Sequence, residues 1–292
     1  MSRSAQIAGF SLLAILALQP VASAQQPLGL LDEPVAEGVE GAEMEEEAED
    51  REDEIETDRD SFTPATTVVG YRRVVIESAY SFIDNRRVLE THSLPEVVAR
   101  YGITERIELR LGYNYEVGGA GSPVSGNIPN DLEEEPQLER EARVLYGTKI
   151  WLTQQGNWLP TSSVILQGFT PTLGEVEKTD FSATYVFGWI LSNDWAWDSG
   201  IRYSTGNFEE DAFGVWSPST VLKVPLGEKW KAHAEYFGVF TTGRERESVQ
   251  HFFSPGIHYL ITPDLEIGVR VGWGLNDQAP NFFANVGGGV RF

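Results

Sequence analysis

Alternation of apolar residues with polar or small ones is the dominant pattern along this chain. It is clearest over residues 281–292, where Phe, Ala and Val occupy most even positions and Asn, Gly and Arg most odd ones. A period of two predicts a β-strand with one apolar face. Residues 106–117 and 265–275 repeat the pattern, with Leu, Ile, Val and Tyr opposite Glu, Arg and Gly. The chain is therefore predicted to be all-β.

Turn signals divide the chain into segments of strand length. Four of them, from Gly156-Asn157 to Thr262-Pro263-Asp264, recur roughly every 35 residues, which leaves room for a hairpin of two long strands. An even number of strands returns the chain to its starting side, as an antiparallel up-and-down barrel requires. Twelve strands are predicted, at residues 70–83, 88–103, 106–117, 140–154, 160–173, 179–192, 195–208, 213–226, 229–242, 249–261, 265–275 and 281–292.

Four prolines fall inside these predicted strands, where a missing N–H weakens the ladder. Pro95, Pro218 and Pro255 precede their following turns by eight to ten residues. We expect these three toward the rim away from the turns, where bulges are common. The fourth, Pro171, also lies within a predicted strand.

The apolar face could point inward, as in a soluble barrel, or outward toward lipid. Closely spaced opposite charges and glycines on the polar face favour a polar lumen. Trp195, Trp197, Trp230 and Tyr259 lie near the turns on the apolar face, which is typical of an interfacial aromatic girdle. No segment after the N-terminus has the ~20 apolar residues of a spanning helix. The sequence favours a transmembrane barrel.

Three regions follow from composition. Residues 1–24 are predicted to be a cleaved secretory signal peptide, because Arg3, an apolar run and Ala22-Ser-Ala24 succeed one another. Residues 25–64 are predicted to be a disordered acidic segment, and residues 65–292 the barrel. Sixteen acidic residues and two arginines between Asp32 and Asp60 carry −14 of the net charge of −22. A solvated spacer, a cation-collecting tail and a segment that enters the barrel all remain open for this region.

The composition disfavours several classes of activity. The chain has no cysteine, which excludes disulfides and thiolate chemistry. The acidic run repels phosphate, so nucleic-acid binding is disfavoured. The four histidines show no metal-ligand spacing along the chain, so no metal site and no cofactor are expected. His92 and Ser93 are adjacent and point to opposite faces of a strand, so we expect no enzyme.

The candidate site residues are the charged groups of the predicted inner face. The turn at Ile103-Thr-Glu105 would place Arg100 opposite Glu108, whereas a shift of two residues would place Arg100 opposite Arg110, which like-charge repulsion disfavours. Structural ion pairs and a selective constriction are both open roles for these groups. The candidates for the lumen and its selectivity are Glu77, Glu96, Arg100, Glu108, Arg110, Asp198, Arg202, Glu235, His258, Glu266, Arg270 and Arg291.

Two further features are singled out. His258 is predicted to lie diagonal to Glu266, where a structural hydrogen bond or a titrating pair would be possible. The stretch from Gly118 to Leu138 is the longest insertion between strands, and it is predicted to be either a gate folded into the mouth or an exposed loop.

Several stretches resemble one outer-membrane protein family, which is named after the meta-pathway of phenol degradation. They are Glu77–Asp84, Leu94–Gly112, Gly168–Pro171, His233–Phe237, Phe253–Tyr259 and Gly272–Asn276. The resemblance covers about residues 65–292. It implies a bacterial outer-membrane barrel for passive passage of small molecules, with hydrophobic or aromatic solutes among the candidates, and it carries over no catalytic residue.

The final strand ends on Phe292, which resembles the C-terminal assembly signal of outer-membrane barrels. The expected partners are therefore the lipid bilayer and the barrel-assembly machinery, together with an unidentified small solute. The alternative to a channel is a closed structural barrel whose lumen is filled by paired charges and which has no transport role.

Overall fold

A computed structural model of the protein describes residues 54–119, 138–174, 178–208, 211–244 and 247–292. It contains twelve strands, and every predicted strand boundary lies within four residues of the observed one. The strands are β1 Val74–Asp84, β2 Thr91–Gly102, β3 Ile107–Gly118, β4 Glu139–Thr153, β5 Thr161–Leu173, β6 Asp180–Ile190, β7 Ala196–Phe208, β8 Asp211–Pro225, β9 Trp230–Thr242, β10 Val249–Thr262, β11 Leu265–Gly274 and β12 Phe282–Arg291.

The strands form one closed antiparallel barrel in which each strand pairs with its neighbours in the chain. Closure joins β1 to β12, with Val75 opposite Arg291 and Asp84 opposite Phe282. The predicted up-and-down topology is confirmed. Five short turns lie at one end of the barrel, called the short-turn end here, and the opposite end is the loop end. The short turns comprise residues 103–106, 154–160, 191–195, 226–229 and 263–264.

The apolar face of the strands is on the outside. Leu109 and Leu111 on β3 are 47% and 61% exposed, whereas Glu108 between the turn and these residues is fully buried. Near the short-turn end, the rings of Trp230 and Tyr259 lie 4.6 Å apart on this outer face. An exposed apolar belt around a polar interior is the arrangement of a membrane barrel, not of a soluble one. Among the described residues, no helix is long and apolar enough to cross a membrane.

The prolines occupy two kinds of position. The β2–β3 register shifts by one residue beside Pro95, which is a bulge. Pro218 and Pro255 instead lie in the middle of β8 and β10, and pairing with one neighbour is interrupted there without a change of register. The expected rim position is therefore wrong for these two, because a proline can keep its place when only one ladder bond is lost. Pro171 lies close to the loop end of β5, beside a register shift.

The interior of the barrel contains a piece of the N-terminal region, residues 54–69, which we call the inserted segment. It enters at the short-turn end, where the Ile55 N–H donates to the Pro263 carbonyl at 2.7 Å. It returns to that end, where the Val69 N–H donates to Glu108 Oε2 at 3.0 Å. The predicted disorder is wrong for residues 54–64, because charged groups of the wall compensate the acidic side chains. Residues 25–53 and the predicted signal peptide lie outside the described residues.

Candidate functional site in the barrel lumen

The short-turn half of the lumen contains a buried cluster of charges around Arg100. Its guanidinium donates from Nε and NH2 to Glu108 at 2.9 and 3.0 Å, and from NH1 to Glu77 at 2.9 Å. Asp58 of the inserted segment lies 3.1 Å from Lys149 Nζ and 3.7 Å from Arg100 Nε. All five side chains are buried, so each charge depends on its partners for stabilisation.

Arg110 completes this cluster and corrects the predicted register. Arg100 faces Arg110, and Gly102 faces Glu108, so the pairing is the one that like-charge repulsion was expected to exclude. The repulsion is offset because Glu108 Oε1 accepts from both guanidiniums, at 2.9 and 2.8 Å, and because Asp58 also contacts Arg110. The ion pair of Arg100 with Glu108 exists, but it is diagonal.

Asp58 balances the cluster. Three cations, Arg100, Arg110 and Lys149, meet three carboxylates, of which Glu77 and Glu108 belong to the wall and Asp58 to the inserted segment. Burial by itself would raise the pKa of Asp58, but Arg100, Lys149 and Arg110 outweigh it and hold that pKa well below its usual value. Without Asp58, the groups that the barrel strands contribute to this cluster would carry one unpaired positive charge.

Glu235 holds the tip of the inserted segment. Its carboxylate accepts the backbone N–H of Phe62 at 2.8 Å and that of Thr63 at 2.7 Å, and the Thr63 hydroxyl at 2.7 Å. Thr63 Oγ1 also lies 2.8 Å from Ser219 Oγ, whose hydroxyl donates to it because the Thr63 proton is directed to Glu235. Glu235 Oε2 also lies 3.5 Å from Arg270 NH1. A wall carboxylate thus satisfies backbone donors that a chain inside a barrel would otherwise leave unpaired.

Farther toward the loop end than the Arg100 cluster, the inner faces of β9, β10 and β12 carry aromatic side chains. Phe62 of the inserted segment stacks on Phe237 with centroids 4.3 Å apart and an interplanar angle of 6°. Phe237 stacks in turn on Phe252 at 4.6 Å, and Phe283 packs against both rings. The Arg202 guanidinium lies 4.6 Å from the centre of the Phe62 ring. The lumen therefore has an aromatic patch on β9, β10 and β12 beside its charged groups, and the inserted segment contacts both. Charges also occur toward the loop end, where Arg143 lies 3.1 Å from Asp180.

Two further ion pairs connect the inserted segment to the wall. Lys223 Nζ lies 3.3 Å from Asp198 and 4.0 Å from Asp60 of the segment. Arg59 contacts Glu96, whose side chain is fully buried. The segment is thus held mainly by polar side chains, in contrast to the backbone ladders that hold the strands.

The structure places the predicted site residues on the inner face. Most are buried and belong to the clusters above; Arg291 lies at the short-turn end, where its Nε donates to Asp264 at 2.7 Å. Their proposed part in selectivity stays a prediction. The inward-facing set is Glu77, Glu96, Arg100, Glu108, Arg110, Asp198, Arg202, Glu235, His258, Glu266, Arg270 and Arg291. Phe292, the predicted assembly signal, is 71% exposed.

Sequence reasoning missed Lys149, Asp58, Phe62 and Thr63. The sequence contains a signal for Lys149, since six of the eight odd positions of β4 are polar or small and Lys149 is one of them. The other three lie in a stretch without any period, and only the three-dimensional charge balance reveals their place.

The histidines divide between the two faces. On the outside, Tyr80 Oη lies 2.8 Å from His92 Nδ1. Inside, His233 Nδ1 lies 2.8 Å from His258 Nε2, and His258 Nδ1 lies 4.0 Å from Glu266 Oε1, the predicted diagonal pair. The expectation of no metal site rested on spacing along the chain, whereas the fold groups His258 and Glu266 with Asp60.

Ser93 and His92 lie on opposite faces, as predicted. Ser93 is fully buried, and its hydroxyl donates to Asn114 Oδ1 at 2.8 Å inside the barrel, whereas His92 faces outward. The two side chains therefore do not form a nucleophile–base pair. The insertion at residues 118–138, predicted to be either a gate or an exposed loop, lies mostly outside the described residues, which omit 120–137.

A closed twelve-strand barrel with an apolar exterior and a polar lumen defines a transmembrane β-barrel. The chain belongs to the family described as "Putative MetA-pathway of phenol degradation", which matches residues 57–292. The match includes most of the inserted segment.

The barrel fold is shared with a solved structure at low sequence identity. An outer membrane channel from Pseudomonas putida F1 is 11% identical, with a TM-score of 0.51 over 77% of this chain and 96% of that chain. The NanC porin is 8% identical, with a TM-score of 0.48 over 74% of this chain and 98% of that one. A comparison with curated protein sequences finds no match.

Proposed function

We propose that the protein is an outer-membrane channel for passive passage of small molecules, and that the inserted segment closes it in the conformation described. The proposal rests on the observation that the inserted segment occupies the lumen. An eight-strand barrel is narrow enough for its own side chains to fill it, and the interior widens with strand number. Here twelve strands surround a separate segment, so its removal would leave a passage.

The proposed location and assembly follow from the same features. Export by the predicted signal peptide would deliver the chain to the outer membrane, where the known barrels of this type reside. We assign recognition by the barrel-assembly machinery to β12, because Phe292 is exposed on its outer side at the seam with β1, where its N–H donates to the Val74 carbonyl at 2.8 Å.

The aromatic patch of the lumen supports hydrophobic or aromatic solutes. Phe237, Phe252 and Phe283 offer ring faces to a solute that takes the place of Phe62. Stacked aromatic pairs contribute about 0.5–1.5 kcal/mol beyond their buried area. A water-soluble aromatic carboxylate is therefore expected to interrupt single-channel current more often than acetate at equal concentration.

A cross-link between segment and wall tests the proposal, since the chain has no cysteine of its own. Thr63→Cys with Ser219→Cys places two thiols where the hydroxyl oxygens are 2.8 Å apart, so the sulfurs need to approach by about 1 Å to reach the disulfide bond length of ~2.05 Å. We expect conductance steps in planar bilayers from the reduced full-length protein and their loss on oxidation. Ser199→Cys with Thr220→Cys is the matched control, because these hydroxyls lie 2.9 Å apart between two wall strands.

The competing function is a closed structural barrel, which the fully buried Arg100 cluster favours. It predicts that neither redox state of the cross-linked variant conducts and that Asp58→Asn, added to loosen the segment, changes nothing. Steps that appear on reduction support the channel. Silence in both states, with Asp58→Asn present and the barrel folded, overturns it.

A further inference from the structure

Three metal-ligating side chains from distant parts of the chain converge inside the barrel. They are Asp60 of the inserted segment, His258 on β10 and Glu266 on β11, and one donor atom of each lies within 4.8 Å of the other two. The His258 Nδ1 to Glu266 Oε1 distance is 4.0 Å. The three residues also line one small cavity. One imidazole nitrogen and two carboxylates form a mixed donor set that transition-metal ions accept.

His258 is oriented to offer its free nitrogen to this cavity. Its Nε2 lies 2.8 Å from His233 Nδ1, and a hydrogen bond there fixes the ring and leaves Nδ1 facing Glu266. A partner on the far nitrogen is the usual arrangement for a histidine that binds a metal. Gly268 lies opposite His258, and a Cβ at Gly268 would come 2.3 Å from Nδ1. The glycine thus leaves the approach to Nδ1 open.

Among the described residues, neither carboxylate has a cationic side chain at hydrogen-bond distance, although Arg59 and Arg270 also line the cavity. Asp60 Oδ1 is buried and accepts no hydrogen bond from the described residues. Its other oxygen is 4.0 Å from Lys223 Nζ, which lies closer to Asp198, at 3.3 Å. Within the part of the chain that the structure describes, the hydrogen bond to Glu266 Oε1 comes from a neutral group, the Thr57 hydroxyl at 3.1 Å. Two adjacent buried carboxylates repel one another, and a bound cation relieves that repulsion.

We propose that Asp60, His258 and Glu266 bind a divalent transition-metal ion, for which Zn²⁺ is the best match, and that the ion ties the inserted segment to β10 and β11. Zinc bonds of about 2.0–2.2 Å place tetrahedral ligands roughly 3.3–3.5 Å apart. The donor separations, which are at most 4.8 Å, therefore shorten by up to about 1.5 Å when the ion binds. A water in the cavity takes the fourth position. This site is independent of whether the barrel conducts.

Zinc binding to the full-length folded protein tests the proposal. Protein in detergent is stripped with a chelator and titrated with Zn²⁺ against a chromophoric competitor. We expect one tight equivalent, weakened at least 100-fold by His258→Gln or Glu266→Gln. His233→Phe is expected to weaken it about tenfold, since it removes only the orienting partner. His251→Gln is the matched control, because His251 lies on the outer face, 2.6 Å from Tyr236 Oη.

The acidic residues before the barrel could also bind zinc. The glutamine variants distinguish binding there from binding at Asp60, His258 and Glu266. All variants keep that region, so binding that survives both His258→Gln and Glu266→Gln overturns the proposal. The absence of a tight equivalent in the unaltered protein overturns it as well. Faster migration of unheated protein on a denaturing gel verifies that each variant is folded. Where a glutamine variant does not fold, Asp60→Asn in the inserted segment, outside the strands, provides the same comparison.

Discussion

Neutralising Asp58 should release the inserted segment. Asp58→Asn keeps the size of the side chain and an oxygen for the Ala65 N–H, which now donates to Oδ1 at 3.0 Å. It removes one of three carboxylates in a cluster with three cations. Arg110, Lys149 and Arg100 would then share two wall carboxylates.

The expected change in the balance between released and inserted segment follows from the burial of these charges. Asp58 and its three cationic partners are all buried, with Lys149 fully so. Removing one partner from a buried ion pair costs about 3–5 kcal/mol, because the charge left behind is uncompensated. The wall cations can regain water only if the segment leaves. At 1.36 kcal/mol per factor of ten, the ratio of released to inserted segment should rise by about two to four powers of ten.

Single-channel recording measures this ratio as open and closed time. The expected result is a large gain in open time for Asp58→Asn, and faster proteolysis of the N-terminal region in the folded barrel. Asp264→Asn is the matched control: Asp264 also pairs with an arginine, at 2.7 Å, but its side chain is 56% exposed. An exposed pair contributes about 0–1 kcal/mol, so this variant should behave as the unaltered protein. Equal open time and equal proteolysis in Asp58→Asn and Asp264→Asn would refute the reasoning.

Three other substitutions probe the wall and the seam. Arg100→Ala should lower the free energy of unfolding by about 3–5 kcal/mol in denaturant titrations, because Glu77 and Glu108 lose their shared cation; a change below 1 kcal/mol would contradict a buried network. Phe237→Ala should cost about 3–5 kcal/mol in the same titration and reduce current interruptions by aromatic solutes, since it removes the central ring. Gly102→Ala should slow barrel folding or lower stability, because its Cβ would lie 1.6 Å from the Gly70 carbonyl oxygen; an unchanged gel shift and denaturation midpoint would show that this turn adapts.

The strands could be predicted because each repeats a two-residue period that lipid on one side and a polar lumen on the other impose. The pairing registers of neighbouring strands are harder to predict from the sequence. The choice between Glu108 and Arg110 opposite Arg100 was made on the wall charges alone, and Asp58, which stabilises the observed choice, lies more than forty residues earlier in the chain.

Entry of the acidic region into the barrel is one of three roles that the sequence leaves open, and the sequence cannot select it for a related reason. A run such as residues 43–60 has the composition of a solvated chain, and composition does not count the cations that a folded wall offers. Lys149, Arg100 and Arg110 form one cluster only after three strands pair. The grouping of Asp60 with His258 and Glu266 likewise depends on the segment's path through the lumen.

The inserted segment is also a ligand tethered to its own receptor. Only residues 70–73 separate it from β1, and the Arg72 N–H donates to the Gly102 carbonyl at 2.8 Å, which fixes the point where the segment leaves the lumen. With so short a tether the effective concentration of the segment is on the order of millimolar or higher. Reclosure is then a first-order event whose rate does not depend on how many barrels occupy the membrane. A free peptide of the same sequence would have to reach comparable concentration to compete for the lumen.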